Sequence, residues 1–311
     1  MISIITISYN KSELTKKCLE AIFKNTKGNF EVIVIDNAST DDAIECLLKE
    51  KRISLTQNNK NLGFSKANNQ GAQKASGDIL VFLNNDTEVQ PGWLEPIIDI
   101  YKAEKNIGAV GVKLLFPDGL IQHAGVTISE DHIPRHLYYR EMANDIKVNK
   151  EREFQAVTAA CIAIPKKVFN EVRGFDEEYV NGLEDVDLCL RIKQKGYKII
   201  YTPKSVVIHH ESVSPGRFKF NKHNSDLYMS RWRDAKSDEH KYYQEDGLNW
   251  LQILGRDFVN MGYSKDEYHT VPKRIKYGKY IYIPLQKCFL VVKLLVTLDF
   301  KTLGQKIRKV V

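Results

Sequence analysis

Ile79-Leu80-Val81-Phe82-Leu83 is apolar at every position, so as a strand it needs cover on both faces, which a sheet flanked by helices supplies. The residues before it agree. Ile2 to Ile7 and Glu31 to Ile35 are further β-branched runs, and another strand is expected near Ile53. Between them, helical spacing appears at Lys11 to Phe23, with Leu14, Cys18, Leu19 and Ile22 on one face, then at Asp42 to Leu48 and Phe64 to Ala75. This alternation predicts an α/β class with a Rossmann-like, mainly parallel central sheet flanked by helices. Ligands of such sheets gather beyond the carboxyl ends of the strands, where Tyr9, Asp36 and Asp86 fall. In Asp36-Asn37-Ala38-Ser39-Thr40-Asp41, a Ser or Thr can cap the second helix.

Beyond Gly92 the pattern loosens. Ile107 to Phe116 and Phe154 to Ile164 read as strands around a polar stretch containing His and Tyr, expected to be a mobile or acceptor-facing insertion. Glu184 to Lys195 reads as a helix closed by Gly196, followed by short strands at Lys198 to Tyr201 and Ser205 to Ile208. Aromatic-rich helical segments with Trp232 and Trp250 as anchors lead to the tail. The expected division is a catalytic domain at 1–217, with halves at about 1–105 and 106–217, a helical extension at 218–271, and a basic amphipathic tail at 272–311.

Of 311 residues, 43% are apolar, enough for a full core. The net charge of +7 is concentrated: residues 272–311 hold ten basic side chains against Asp299 alone, a net +9 that leaves the rest at −2. A near-neutral body argues against a nucleic-acid partner, and a basic apolar tail suits an anionic membrane surface. Within Tyr280 to Leu298, Lys287 and Lys293 each cost about 2.5–3.5 kcal/mol near mid-bilayer, so this segment is expected to lie flat rather than span; the alternative is a packed C-terminal helix or a homodimer contact. Cys18, Cys46, Cys161, Cys189 and Cys288 show no paired spacing, which suits a reducing compartment. The chain opens directly on a strand pattern, so the expected location is cytoplasmic, peripheral on the inner face of the membrane.

Asn84-Asn85-Asp86 follows the buried strand, and a carboxylate exposed there can bind a divalent cation; an ordinary Asn/Asp turn is the alternative. Asp36 can accept hydrogen bonds from a base or ribose, or cap a helix. Tyr9 can stack on a base, with Ser8 and Asn10 as polar contacts, or fill the sheet edge. Asn61-Leu62-Gly63-Phe64-Ser65-Lys66-Ala67-Asn68-Asn69 offers Lys66 and side-chain amides to a ribose or diphosphate, and no Gly-rich phosphate loop is present. Glu184, Asp185 and Asp187 cluster at a helix start, where acids also favour the dipole. His209 and His210 end a strand, within reach of a cation near Asp86.

Ser-Tyr-Asn after the first strand, Asp-Asn-Ala-Ser-Thr-Asp, Asn-Leu-Gly-Phe, Leu-Asn-Asn-Asp-Thr, Gly-Phe-Asp before Glu-Asp-Val-Asp-Leu, and His-His-Glu-Ser together resemble the family 2 glycosyltransferases of the GT-A fold. The subgroup most similar is that of rhamnosyl and related transferases of bacterial surface polysaccharides, and the match covers about Ile2 to Arg217. The resemblance implies a nucleotide-diphosphate sugar donor, Mg²⁺ or Mn²⁺, inversion at the anomeric carbon, and a glycan or lipid-linked glycan acceptor. The donor it suggests is dTDP-rhamnose, with a UDP-sugar next. Carried over residue by residue, Asp86 and His209 are metal or diphosphate ligands and Asp185 is the catalytic base, with Glu184 beside it. Asp36 is carried over as a contact to base or ribose, and Ser8, Tyr9, Asn61, Gly63, Lys66 and Asn85 are the further expected nucleotide contacts. Two departures stand out: Asn84 replaces the first acid of the metal motif, and Ala159-Ala160 occupies a place where the family often has Gly.

Elementary chemistry requires the same parts. A departing diphosphate needs a cation across its oxygens, and a hydroxyl nucleophile needs a carboxylate to take its proton. Two other classes use similar sheets: a sugar nucleotidyltransferase, which needs a basic Gly-rich first loop unlike Ser8-Tyr9-Asn10-Lys11, and a non-catalytic carbohydrate- or nucleotide-binding protein, which need not keep Asp86, Asp185 and His209 together.

Overall fold

The structure, a computed structural model, describes residues 1–210, 217–249, 252–253, 274–277 and 281–284. Its first half alternates as the periodicity dictates: β1 (Ile2–Ser8), α1 (Ser12–Asn25), β2 (Phe30–Asp36), α2 (Ala43–Lys49), β3 (Ile53–Gln57), α3 (Phe64–Lys74) and β4 (Ile79–Leu83). β1 lies between β2 and β4, with β3 outside β2, all parallel. Ile4, Ile5, Val34, Val81 and Phe82 are fully buried, the two-sided cover that their apolar runs demand. α3 packs so closely on β1 that a Cβ added to Gly71 would stand 2.5 Å from Ile5 Cγ2.

The second half contributes β5 (Thr87–Val89), α4 (Glu95–Ala103), β6 (Ile107–Leu115), β7 (Ile121–His123), β8 (Val126–Ile128), β9 (Pro134–His136), β10 (Arg152–Phe154), β11 (Cys161–Pro165), α5 (Lys166–Glu171), α6 (Glu184–Gln194) and β12 (Lys198–His209). Among the described residues one sheet of ten strands runs β10-β12-β6-β11-β4-β1-β2-β3, with β5 on β12 and β7 on β6. β12 is parallel to β6, whereas β11 runs antiparallel between β4 and β6. That reversal sets the start of β11, Cys161, opposite Leu83 at the carboxyl end of β4.

Several local expectations are corrected. Phe154 to Ile164 is not one strand: the chain leaves β10 at Phe154 and re-enters at Cys161, after a turn in which Thr158 Oγ1 accepts from Ala160 N. Conversely, Lys198 to His209 is a single strand, in which the register against β6 slips between Thr202 and Val206 and so accommodates Pro203, which has no N–H to give. The first part of the polar stretch after β6 is core, not a mobile insertion, because Ile121, Gln122, His123, Val126, Thr127 and Ile128 are all buried. Nor does Ser39 or Thr40 cap α2, whose N-cap Asp42 makes no side-chain cap bond.

Contacts divide the chain into two compact units, Met1–Glu239 and His240–Val311, whereas the sequence suggests boundaries at 217 and 271. α7 (Asn221–Trp232) belongs to the first unit, since Asn224 bonds both backbone groups of Val180 and Trp232 Nε1 donates to Asp187 Oδ1 at 2.9 Å. The second unit takes most of α8 (Glu239–Glu245) and the antiparallel pair β13 (Arg274–Tyr277) and β14 (Ile281–Pro284). The flat helix expected from Tyr280 therefore meets a strand at Ile281, and its remainder, like Trp250, lies outside the described residues. Among the described residues no helix is long and apolar enough to cross a membrane.

Candidate active site

At the carboxyl ends of β1 and β2 two loops are laced together. Asn10 and Lys11 are left-handed, with φ of 56° and 59°. Asn10 N donates to Ser39 Oγ, and Asn10 Oδ1 accepts from Thr40 N at 2.7 Å. Asp36 is buried, and its two carboxylate oxygens accept from Ser39 N and Ser39 Oγ. The carboxylate thus shapes the turn that follows β2, while each oxygen keeps a further lone pair. Tyr9 does not fill the sheet edge: it is 44% exposed, a free aromatic face above the loops.

The remaining nucleotide candidates divide. Asn61 Oδ1 accepts from Asn37 Nδ2 and Gly63 N, and Asn37 Oδ1 accepts from Leu62 N and Asn58 Nδ2. These amides join the end of β2 to the loop before α3, where Gly63 takes φ 80°. Three others are turned elsewhere. Ser8 is fully buried with Oγ 3.4 Å from Thr15 Oγ1, and Asn85 Nδ2 donates to that same Thr15 hydroxyl at 2.8 Å. Lys66 Nζ lies 3.8 Å from Glu177 Oε2, across to the second half, and Asn69 bonds the backbone of Phe175. Ser8 and Asn85 therefore brace the loops, whereas the Lys66 side chain, 56% exposed, keeps its ammonium open to solvent.

The turn after β4 brings its carboxylate to the end of β12. His209 Nε2 lies 3.1 Å from Asp86 Oδ1, and Asn84 Nδ2 is 3.4 Å from the same nitrogen. His209 is 6% exposed. On its other side the ring's Nδ1 is 2.6 Å from Gln122 Oε1. His210 points away to Glu88, Nε2 to Oε1 at 2.7 Å. Beneath the turn Cys18 Sγ faces Asn84 O, and burial, with the nearby Asp86 charge adding, pushes its thiol up to about 12; it remains a protonated packing group.

A divalent cation fits this donor set. Adjacent ligands of an octahedral ion with bonds of about 2.0–2.1 Å stand about 2.9 Å apart, close to the 3.1 Å between His209 Nε2 and Asp86 Oδ1. One carboxylate and one imidazole leave most positions to water and phosphate oxygens. Among the described residues no cluster of three or more His, Cys, Asp or Glu could hold a metal alone, so the ion would depend on a bound diphosphate. Mn²⁺ tolerates the imidazole better than Mg²⁺ does.

Asn181, Gly182 and Leu183 carry φ of 58°, 147° and 69°, three consecutive left-handed residues that lead into α6 and are unfavourable for the non-glycines. α7 holds them: Asn224 bonds Val180 N and O, and His223 Nε2 lies 3.0 Å from Glu178 O. The loop delivers three acids to three fates. Glu184 is buried and turns back on Gly182 N. Asp187 is fully buried, paired with Arg191 Nε at 2.7 Å and with Trp232. Asp185 remains half-buried, with Oδ2 accepting from Ala159 N at 3.0 Å and Oδ1 from Val186 N at 2.9 Å. Next to Ala159, Ala160 O accepts from Asn84 N at 3.0 Å. The carboxylate of α6 and the cation turn of β4 are therefore tied to neighbouring peptides.

Sequence reasoning misses Asn37, Gln122, Asn224 and Trp232's bond to Asp187. Asn37 sits inside a motif already singled out, and Gln122 is a polar residue within the otherwise apolar run Leu120 to Val126 interrupted by His123; the partners of both are remote in sequence.

Residues 3–171 match the family model described as Glycosyl transferase family 2. The chain is similar to the O-antigen biosynthesis protein RfbC of Myxococcus xanthus, 33% identical over 225 residues that make 68% of this chain and 17% of that protein. It is also similar to the N-acetylglucosaminyl-diphospho-decaprenol L-rhamnosyltransferase of Mycobacterium tuberculosis, 23% identical over 70% of this chain and 78% of that one. The protein y4gI of Sinorhizobium fredii is 32% identical over 75% of this chain, which spans only 28% of it; the chain thus covers less than a third of two such curated relatives. Among solved structures, GalNAc-T7 with UDP, GalNAc and Mn²⁺ superposes with a TM-score of 0.58 at 17% identity, over 88% of this chain and 58% of that one.

Proposed function

This chain belongs to glycosyl transferase family 2 and has the GT-A fold, and from that premise we propose that it is an inverting glycosyltransferase using Asp185 as its base and a divalent cation near Asp86 and His209. The observation that carries the reading is the bonded path from Asp185 through Ala159-Ala160 to Asn84, which ties a free-edged carboxylate to the cation turn. A nucleotide-diphosphate sugar lies with its base at Tyr9 and Asp36 and its diphosphate towards Asp86 and His209. Mn²⁺ or Mg²⁺, when bound, neutralises the departing diphosphate. Asp185 keeps a lone pair on each oxygen after its two backbone bonds, enough to take the proton of an acceptor hydroxyl as it attacks from the face opposite the leaving group. Among the described residues no second carboxylate is brought to this site for a covalent intermediate, and single displacement inverts the anomeric carbon.

The relatives' names support a cell-surface glycan as the product; the acceptor is then a growing or lipid-linked glycan and the donor dTDP-rhamnose or a UDP-sugar. The basic tail supports a position on the inner membrane face, held by charge. The test is a donor screen: with Mn²⁺ present, one dTDP- or UDP-sugar should be hydrolysed slowly in water and stabilise the fold on heating, as binding to the native state requires. Cation-independent stabilisation, or none with any sugar nucleotide, would leave the binding-protein reading in its place.

A further inference from the structure

Gln122 is 3% exposed beneath His209. Its Oε1 lies 2.6 Å from His209 Nδ1 and its Nε2 3.5 Å from the His209 carbonyl oxygen. The two contacts fix the orientation of the amide. Turned over, its oxygen would face the His209 carbonyl, acceptor against acceptor, so the NH₂ faces that carbonyl and Oε1 faces the ring. Oε1 can only accept, and Nδ1 therefore carries the hydrogen. With Nδ1 holding its hydrogen, Nε2 is the nitrogen that faces Asp86 Oδ1, at 3.1 Å, and the one whose lone pair a cation shared with Asp86 would take. β6 pairs with both β7, which carries Gln122, and β12, which carries His209; one shared strand sets the spacing.

We propose that Gln122 is a positioning residue that holds His209 in its Nδ1–H form and thereby sets the cation affinity of the Asp86–His209 pair. This rests on the cation reading given above. A ligating histidine whose second nitrogen is anchored keeps its ring aimed and its tautomer fixed, and loss of such a partner typically costs about 10–100-fold in metal affinity. Without the anchor, Nε2–H becomes accessible and points a hydrogen at the cation's place.

Two measurements test this. In cation-free protein labelled with ¹⁵N-histidine, at about pH 8.5, two units above the ordinary imidazole value, long-range ¹H–¹⁵N correlation should show His209 protonated at Nδ1, its signals assigned by their loss in His209→Gln. A His209 ring with no hydrogen on Nδ1 in the wild type would overturn the proposal without any need for a Gln122 variant. Mn²⁺ binding, followed by EPR with UDP present, should weaken about 10–100-fold in Gln122→Met, which has similar length and no acceptor, and persist in Gln122→Glu, which keeps an oxygen facing Nδ1. Wild-type affinity in Gln122→Met, or equal losses in both variants, would overturn the proposal and leave the cation site standing. A wild type that binds no Mn²⁺ under these conditions would remove the cation reading and this inference with it.

Discussion

The carboxylate of Asp185 accepts a hydrogen bond from Ala159 N at 3.0 Å, which ties the first turn of α6 to the peptide that precedes β11. Because β11 runs antiparallel to β4, that peptide lies at the carboxyl end of β4, and Ala160 O receives Asn84 N. The two alanines stand where a more flexible glycine would loosen both attachments. The proposed base and the proposed cation turn, a hundred residues apart in sequence, are held through one short backbone segment.

Asp185→Asn is expected to lower transfer by about 10²–10⁴-fold, the usual worth of a general base, with donor affinity retained. The amide can keep one backbone bond of the pair to Ala159 N and Val186 N, and its NH₂ then opposes the other, at about 1–3 kcal/mol. Thermal unfolding measured beside turnover separates the two effects. More than about a tenth of wild-type turnover in a folded variant would place the base elsewhere.

Asp86→Ala should abolish cation-dependent stabilisation by UDP or dTDP, and because its side chain is only 13% exposed, cation-free stability is measured beside it. His209 Nε2 would lose its 3.1 Å partner. Calorimetric titration of Mn²⁺ in the presence of the nucleotide checks it; undiminished binding would assign the cation to other ligands.

Asp86 and His209 are legible in the sequence because each ends an apolar strand run, and strand ends in a parallel sheet share one edge. Asp187's structural part is half legible: its place in the first turn of α6 is visible, whereas Trp232 and Arg231, more than forty residues on, are not. The break between β10 and β11 escapes notice because Ala156, Val157, Ala159 and Ala160 are as apolar as a strand, and what holds the bend there is a hydrogen bond from Ala159 N to a side chain 26 residues away. Gln122 and His123 look like the polar surface of a loop by composition, yet both find partners in the core. Long-range pairing of polar groups leaves no periodic trace.

Acid should weaken the fold through His123. Burial, and the charge of His136 beside it, hold its imidazole well below the ordinary 6.5, and the two Nδ1 atoms are 2.9 Å apart, so one ring must donate to the other's lone pair. The native ring resists protonation while the unfolded one takes a proton below pH 6.5. This contribution is therefore fully present above pH 6.5 and is lost as pH falls below it, at up to about 1.36 kcal/mol per unit. Urea unfolding from about pH 7.5 down to 5 should show that slope, and His123→Gln should flatten it.

Binding to membranes should be electrostatic. Ten basic residues against one acid in residues 272–311 give about 1 kcal/mol each at an anionic surface, falling off within a Debye length. Co-sedimentation with phosphatidylserine vesicles at low salt should be reversed by high salt and absent with neutral vesicles. Retention in high salt, or none at low salt, would refute a surface held by charge.

The last prediction separates support from chemistry within one helix turn. Asp187 is two residues from the proposed base, but its side chain is 1% exposed, against 23% for its partner Arg191. Its Oδ1 takes Trp232 Nε1 at 2.9 Å and lies 3.5 Å from Arg231, which also reaches Asp176 and Glu178. One buried carboxylate thus joins α6 to α7, and α7 in turn holds Val180 through Asn224. Removing its charge leaves Arg191 without its buried partner. The cost should approach the ~3–5 kcal/mol of breaking a buried pair, less what water recovers at the part-exposed guanidinium. Asp187→Asn should therefore lower the unfolding free energy by a few kcal/mol, on the order of that buried-pair cost, yet keep most turnover at a temperature where it stays folded. Trp232→Phe, which removes one donor to the same oxygen, should cost about 1–3 kcal/mol and likewise spare the chemistry. Asp185→Asn should show the opposite balance, a large rate loss with no more than the ~1–3 kcal/mol of one opposed backbone bond. If Asp187→Asn instead abolishes transfer with stability unchanged, the assignments of Asp185 and Asp187 must be exchanged.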